Sequence, residues 1–105
     1  MKLVVVGAGG VGGYFGGRLA AAGTDVTFVA RGEHLAALRR GGLRIESVLG
    51  NALIRPVQVT DDPASLGHPD MVWIAVKLWG TAEAARAIAP LMGPQTAVIS
   101  FQNGV

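Results

Sequence analysis

The sequence predicts an α/β domain with a doubly wound, mostly parallel sheet that is covered by helices on both faces. Short apolar runs alternate with helix-like segments, which requires parallel strands joined by crossover helices. Half of the residues are hydrophobic and 15% are charged, as expected when both faces of a sheet are buried. The length of 105 residues corresponds to one domain, spanning residues 1–105.

The first half of the chain contains two predicted strands, each followed by a helix. Their expected bounds are Leu3–Val6 and Asp25–Ala30 for the strands, and Gly10 to about Ala22 and Glu33–Arg40 for the helices. Gly23 ends the first helix. In that helix Val11, Phe15 and Leu19 recur every four residues, which is typical of an apolar stripe on a helix. Gly17 and two earlier glycines at the same spacing form a neighbouring stripe that lets helix and sheet approach closely.

The second half begins with a predicted β-hairpin. The runs Leu43–Val48 and Ala52–Val59 are strand-like and flank the turn pair Gly50-Asn51. Because Pro56 cannot donate a ladder hydrogen bond, we expect the hairpin at the edge of the sheet. An apolar strand, an alanine-rich helix and a final strand follow at Met71–Val76, Thr81–Ala89 and Thr96–Phe101.

The turn after the first strand carries a Gly-x-Gly-x-x-Gly motif. Gly7 permits a tight turn, and Gly9 lets the backbone approach a pyrophosphate without a Cβ in the way. Amides from Gly10 onward point at the phosphates from the positive end of the helix. Because the motif follows a buried strand and opens a helix, it predicts a Rossmann-type dinucleotide site rather than a turn that serves only helix packing. The expected binding residues are Gly7, Ala8, Gly9, Gly10, Val11 and Gly12.

The end of the second strand indicates which dinucleotide is bound. At this position an acid hydrogen-bonds a free ribose 2′-hydroxyl, whereas an arginine accommodates a 2′-phosphate. The strand ends in Ala30-Arg31-Gly32 and has no carboxylate at its tip. The planar donor fork of Arg31 suits phosphate oxygens. The sequence therefore predicts NADP(H) as the cofactor, with a solvated arginine as the alternative.

Two further residues follow later strands at the end where open α/β sheets bind ligands. Lys77 comes directly after the apolar run Met71–Val76, and it is expected to reach toward a cofactor or substrate oxygen. Asn103 follows the last strand and offers both a donor and an acceptor to a ribose or a substrate hydroxyl. On position alone, a surface charge and a plain turn are the alternatives.

Several other functions are disfavoured. The net charge of +2 does not imply nucleic acid, and we expect the small basic cluster Arg39, Arg40 and Arg44 to be a solvated face. His34 and His68 lack partners at ligand spacing, so no metal site is expected. Asp61-Asp62 is expected to be a solvated turn, and Trp73 to be a core residue.

The chain also lacks the marks of secretion or membrane insertion. It has no cysteine, which excludes disulfides and thiol chemistry and fits a cytoplasmic protein. The uncharged stretch from Leu3 to Gly17 is shorter than the ~20 residues that a bilayer core requires. Its fixed glycine spacing argues against a signal peptide. We therefore expect a small-molecule ligand, no membrane and no nucleic acid.

Five blocks of the chain together resemble the N-terminal domain of ketopantoate reductase (2-dehydropantoate 2-reductase), and the resemblance covers essentially the whole sequence. The blocks are residues 4–14, Ala30-Arg31-Gly32, residues 57–63, Ala75-Val76-Lys77 and Phe101–Val105. The first block would fit many dehydrogenases. Lys77 after an apolar strand and the Gln102-Asn103-Gly104-Val105 ending are more particular to this family.

The resemblance implies an activity and a set of roles. That family reduces the ketone of ketopantoate with NADPH and so makes pantoate for pantothenate and coenzyme A synthesis. By resemblance, Gly7 through Gly12 hold the pyrophosphate and Arg31 the 2′-phosphate. Lys77 contacts the cofactor toward its nicotinamide end, and Asn103 meets both cofactor and substrate.

The family's general acid is a lysine in a helical C-terminal domain that the 105 residues do not contain. We therefore expect a piece that binds NADP(H) but is incomplete for catalysis of a 2-oxo acid reduction, and whose exposed apolar surface permits self-association. Two alternatives stay open. One is a stand-alone NADP(H)-binding or redox-sensing module, and the other is the cofactor domain of a related 2-oxo acid or imine dehydrogenase.

Overall fold

Strands and helices alternate along the part of the chain described by a computed structural model, which covers residues 1–7, 10–45, 50–74, 86 and 88–100, with the backbone alone for 10–13 and 100. The strands are β1 Lys2–Val6, β2 Asp25–Val29, β3 Leu43–Ile45, β4 Ala52–Ile54, β5 Val59–Thr60, β6 Met71–Ile74 and β7 Ala97–Ser100. The helices are α1 Gly10–Ala21 and α2 Gly32–Gly41, with short 3-10 turns at Pro63–Leu66 and Ala89–Leu91.

Five of these strands form one parallel sheet in the order β5-β2-β1-β6-β7. From the central strand β1 the chain moves outward to β2 and β5 on one side. It then crosses to β6, which pairs with the other edge of β1, and continues to β7. This change of direction makes the sheet doubly wound. The predicted Rossmann-type α/β class is confirmed.

Side chains alternate between two buried faces of the sheet. On the first face Leu3, Val5 and Phe28 pack with Leu35 and Leu38 of α2. On the second face the buried residues pack with Leu91 of the second 3-10 turn; they are Val4, Val6, Val29 and Val72. All four residues from Leu3 to Val6 are fully buried, which explains why β1 reads as a continuous apolar run.

Glycines bring α1 close to both sheets. An added Cβ at Gly16 would lie 3.0 Å from Cγ2 of Val5, on the main sheet. An added Cβ at Gly17 would lie 2.5 Å from Cδ1 of Ile45, on β3. The expected close approach at Gly17 is therefore confirmed, although its nearest neighbour is the small sheet formed by β3 and β4.

The apolar stripe of α1 is not buried along its whole length, because the side chain of Phe15 is 50% exposed. The face of α1 next to the sheet is occupied by small residues such as Gly16, and a phenylalanine does not fit where the backbone approaches this closely. Leu19 of the same stripe packs against the core. The ring of Phe15 instead meets Tyr14 edge-on, with centroids 5.1 Å apart.

The predicted hairpin forms, but its placement at the edge of the main sheet is wrong. β3 and β4 pair antiparallel as a separate two-stranded sheet that packs on α1. The Arg18 guanidinium of α1 donates to the carbonyl of Gly50 in the connecting turn.

The second predicted hairpin strand, Ala52–Val59, is in fact two strands. The ladder ends at Ile54, shortly before Pro56, which has no N–H to continue it. The chain then joins the main sheet, where Gln58 accepts a 2.8 Å hydrogen bond from the Phe28 N–H and Val59 begins the edge strand β5.

The remaining elements agree with the expected order. The strands that begin near Met71 and Ala97 are present as β6 and β7. Of the predicted helix Thr81–Ala89, only Arg86 and Ile88 fall on described residues as helix, and Ala89 begins a 3-10 turn. Three predicted strand ends, residues 46–48, 75–76 and 101, lie outside the described residues.

Candidate functional site

The carboxyl ends of the five parallel strands meet in one row. Val6 is paired with both Val29 and Ile74, and the row extends outward through Thr60 and Ser100. Ligands of open α/β sheets bind beyond this edge, in the crevice where the strand order reverses. Here the order reverses at β1, between its neighbours β2 and β6. Each residue that the sequence singled out for binding follows one of these row positions in the chain.

Gly7 stands directly after β1, at the reversal of strand order. Its φ of +93° is a left-handed conformation that favours glycine, and its N–H donates 2.9 Å to the carbonyl of Val29. The turn is short because α1 begins at Gly10. Because only two residues separate Gly7 from Gly10, the N-terminus of α1 lies near the same edge, and its first amides have no partner within the helix.

The other predicted residues of the glycine motif are only partly described. The backbone of Gly10, Val11 and Gly12 forms the first turn of α1, as the motif requires. Ala8 and Gly9 lie outside the described residues.

Arg31 lies two residues beyond the end of β2, at the N-cap of α2. Its backbone is extended, with φ −143° and ψ 161°, and its side chain makes no capping hydrogen bond to the helix. The residue is exposed, and its carbonyl accepts from the Leu35 N–H at 3.4 Å. The backbone of Arg31 therefore lies at the N-terminus of α2, the positive end of the helix dipole, next to the sheet edge that carries Gly7.

Lys77 and Asn103 lie outside the described residues. The strands that precede them are described, and their last residues, Ile74 and Ser100, are paired with each other in the row of carboxyl ends. Each predicted residue follows its strand end by three positions in the sequence. Their roles stay predictions that rest on this placement and on the family resemblance.

The structure also places the histidines, the tryptophan and the basic cluster that the sequence analysis considered. His34 and His68 are both exposed, and among the described residues no three His, Cys, Asp or Glu side chains lie close enough to hold a metal ion. Trp73 is half-buried and packs against the core of the first face. The side chains of Arg39, Arg40 and Arg44 are exposed, as the sequence predicted.

Asp61 is a residue whose position the sequence did not reveal. Because the Ala30 N–H donates 3.0 Å to the carbonyl of Thr60, Asp61 lies beside the segment that leads into Arg31. Sequence reasoning missed this neighbour because it placed Val59 in the hairpin. The signal that could have found it is Pro56, which ends one strand and leaves Val59-Thr60 free to start another.

None of the helices in the described part of the chain is both long enough and apolar enough to cross a membrane.

Comparison with known proteins agrees with this architecture. The curated 2-dehydropantoate 2-reductase of Mesorhizobium japonicum is 42% identical over 106 residues, which cover 100% of this chain and 32% of that protein. The crystal structure of 2-dehydropantoate 2-reductase from Porphyromonas gingivalis W83 superposes with a TM-score of 0.85 at 40% identity, covering 99% of this chain and 39% of the other.

The same enzyme from Geobacter metallireducens GS-15 superposes with a TM-score of 0.90 at 30% identity, covering 100% of this chain and 35% of the other. The chain thus spans about a third of the length of these relatives. The sequence profile of the family described as ketopantoate reductase PanE/ApbA matches residues 3–105, which is nearly the whole chain. This chain therefore belongs to the ketopantoate reductase PanE/ApbA family.

Proposed function

We propose that this domain binds NADP(H) and serves as the cofactor-binding domain of an NADPH-dependent 2-dehydropantoate 2-reductase. The observation that carries the proposal is the common edge of Gly7 and Arg31. They follow adjacent parallel strands whose ends pair at Val6 and Val29, and each stands at or just before the positive end of a helix. Such an edge could offer amide donors to the pyrophosphate and a guanidinium to the 2′-phosphate of one dinucleotide.

Different residues of the domain would bind different groups of the cofactor. The glycine turn and the first amides of α1 would hold the pyrophosphate, because backbone donors at a helix N-terminus suit a spread negative charge. Arg31, with the N-terminus of α2 behind it, would hold the 2′-phosphate. Lys77 would contact the cofactor toward its nicotinamide end, and Asn103 would meet both cofactor and substrate. The last two roles are supported by family membership and by the chain positions of these residues.

Bound NADPH supplies the hydride for reduction of the ketone. The described residues of this chain would orient the cofactor along the sheet edge through its phosphates. In the family the proton for the developing alkoxide comes from a lysine in the helical domain. We therefore propose that the 105-residue chain binds the cofactor but does not turn over ketopantoate, which NADPH oxidation with and without ketopantoate would test. Robust turnover by the isolated chain would contradict this.

The decisive test is a titration of the purified chain with NADPH and with NADH, using calorimetry. Arg31→Ala removes charge-assisted hydrogen bonds of about 1.5–3 kcal/mol, so the Kd for NADPH should rise by about tenfold to a hundredfold. NADH has no 2′-phosphate, so its Kd should change by less than about threefold.

Arg39→Ala is the matched control for this titration. Arg39 is an exposed arginine in the last turn of the same helix, so its removal changes the net charge equally at the far end of α2. Its Kd values should equal those of the unaltered chain. Equal weakening of both cofactors by Arg31→Ala would rule out the 2′-phosphate role, and no binding of either cofactor by the unaltered chain would rule out the proposed function.

Lys77→Ala should affect the two Kd values differently from Arg31→Ala. The nicotinamide end is common to both cofactors, so this variant should weaken NADPH and NADH by the same factor. A loss confined to NADPH would instead assign Lys77 to the phosphate end.

A further inference from the structure

The carboxyl edge of the sheet carries a carboxylate next to the predicted phosphate-binding arginine. The Ala30 N–H donates 3.0 Å to the carbonyl of Thr60, and Val29 is paired with Thr60. Asp61 therefore lies alongside Ala30, one strand away. From the usual strand spacing and rise, the Cα atoms of Asp61 and Arg31 are separated by roughly 6 Å. Both residues are exposed, so each side chain has access to a ligand at this edge.

Two other acidic residues near this edge are less well placed than Asp61 to act beside Arg31. Glu33 is exposed in the first turn of α2, whereas Leu35 and Leu38 are the buried residues of that helix. At 100° per residue, Glu33 lies on the side of α2 opposite these leucines and so faces away from the sheet. Asp62 is one residue further than Asp61 along the chain from the pair of Val29 and Thr60, at the N-cap of the 3-10 turn Pro63–Leu66, where its backbone carbonyl accepts from Ser65 Oγ at 2.7 Å.

We propose that Asp61 is a specificity-determining residue that weakens the hold of this edge on a 2′-phosphate. The inference rests on the proposed NADP(H) function. A 2′-phosphate held by Arg31 brings close to two negative charges near the Asp61 carboxylate. Their repulsion opposes the attraction of the guanidinium, while NADH, which has no charge at that position, experiences little of it. Asp61 thereby lowers the preference for NADPH over NADH that Arg31 creates.

The test is Asp61→Asn, which removes the charge and keeps the size of the side chain. At separations of roughly 7–8 Å near a protein surface, the repulsion corresponds to a threefold to tenfold effect on Kd. The Kd of the variant for NADPH should therefore fall by about threefold to tenfold, and that for NADH by less than about twofold. The gain should shrink as salt is raised from about 0.05 M to about 0.5 M, because the interaction is exposed and screened.

Asp25→Asn is the matched control. Asp25 begins the same strand β2 at its opposite end, six positions before Arg31, which is about 20 Å at the usual rise and well beyond the Debye length at 0.1 M salt. Asn keeps the Oδ1 atom that accepts from Gln58 Nε2 at 2.9 Å. The net charge changes equally, but neither Kd should change. Thermal unfolding of both variants checks that the fold is intact.

The outcomes separate this inference from the proposed function. A gain in NADPH affinity that is selective and sensitive to salt supports the role of Asp61. An unchanged or weaker NADPH affinity overturns it, as does an equal gain for NADH, an equal gain in Asp25→Asn, or a larger gain in Asp62→Asn. In each of these cases NADPH binding that depends on Arg31 would leave the proposed function standing. No NADPH binding by the unaltered chain would overturn both.

Discussion

The N–H of Gly7 donates a hydrogen bond to the carbonyl of Val29 over 2.9 Å, at the point where β1 and β2 both end. This bond ties the glycine turn to the strand that leads into Arg31, two residues further on. The backbone of the glycine turn and the backbone that leads to Arg31 are thus fixed relative to each other without a ligand. Groups that are already positioned lose less conformational entropy on binding.

The left-handed conformation of Gly7 predicts that Gly7→Ala impairs both folding and binding. A Cβ at a φ of +93° costs on the order of 1–2 kcal/mol of unfolding free energy. Relief of this strain would move the turn away from the pyrophosphate, which both cofactors share. We expect the Kd values for NADPH and NADH to rise together by about tenfold, measured by calorimetry. An unchanged Kd would show that this turn does not hold the phosphates.

Gly42→Ala is predicted to destabilise the fold without affecting the cofactor. Gly42 has a φ of +78°, and an added Cβ would collide with the backbone carbonyl oxygen of Ile54, which no side-chain rotation can relieve. We expect a loss of about 2–4 kcal/mol of unfolding free energy in urea denaturation, with unchanged Kd values.

Its neighbour provides the control for this prediction. An added Cβ at Gly41 meets nothing within 4 Å, and Gly41 is the last residue of α2. Gly41→Ala should therefore change the unfolding free energy by less than about 1 kcal/mol, in the stabilising direction. Equal losses in the two variants would mean that the contact with Ile54 is not the cause.

Substitution by alanine is predicted to destabilise the fold strongly at Phe28 and only weakly at Phe15. Phe28 is fully buried on the first face of the sheet, whereas Phe15 is 50% exposed on α1. Phe28→Ala should cost about 3–5 kcal/mol of unfolding free energy, and Phe15→Ala less than about 1 kcal/mol. Urea denaturation of both variants measures the difference. A large loss in Phe15→Ala would contradict the exposed position of its side chain.

Loss of the Thr96 hydroxyl, at the amino-terminal end of β7, is predicted to lower the unfolding free energy. Its Oγ1 donates to the carbonyl of Pro69 at 2.8 Å and accepts from the Gly93 N–H at 3.1 Å. Thr96→Val would leave both backbone groups without this partner, at a cost of about 1–3 kcal/mol of unfolding free energy. Thr96→Ser keeps the hydroxyl and should recover most of that loss. Equal losses in the two variants would indicate that the methyl group matters and the hydroxyl does not.

The elements that could be predicted well are those whose bounds are set by residues close together in the sequence. β1 is visible because it is apolar at every position from Leu3 to Val6, and the end of α1 because Gly23 follows it. The exposure of Phe15 could not be predicted, because a four-residue spacing identifies a stripe on a helix but not which stripe meets the sheet. That choice depends on the close approach at Gly16, which involves Val5 and Phe28 from two other elements.

Sequence patterns alone were enough to predict the parallel α/β architecture, a glycine-rich turn after the first strand and an arginine after the second. These features follow from hydrophobic periodicity, glycine spacing and side-chain chemistry, which act over a few neighbouring residues. Long-range strand pairing, which sequence patterns do not reveal, separates β3 and β4 from the main sheet and adds Val59-Thr60 to it. The same pairing brings Asp61 beside the segment that leads to Arg31. The reason is that strand pairing joins residues about thirty positions apart, so competing partners differ in packing and hydrogen bonding rather than in local preference.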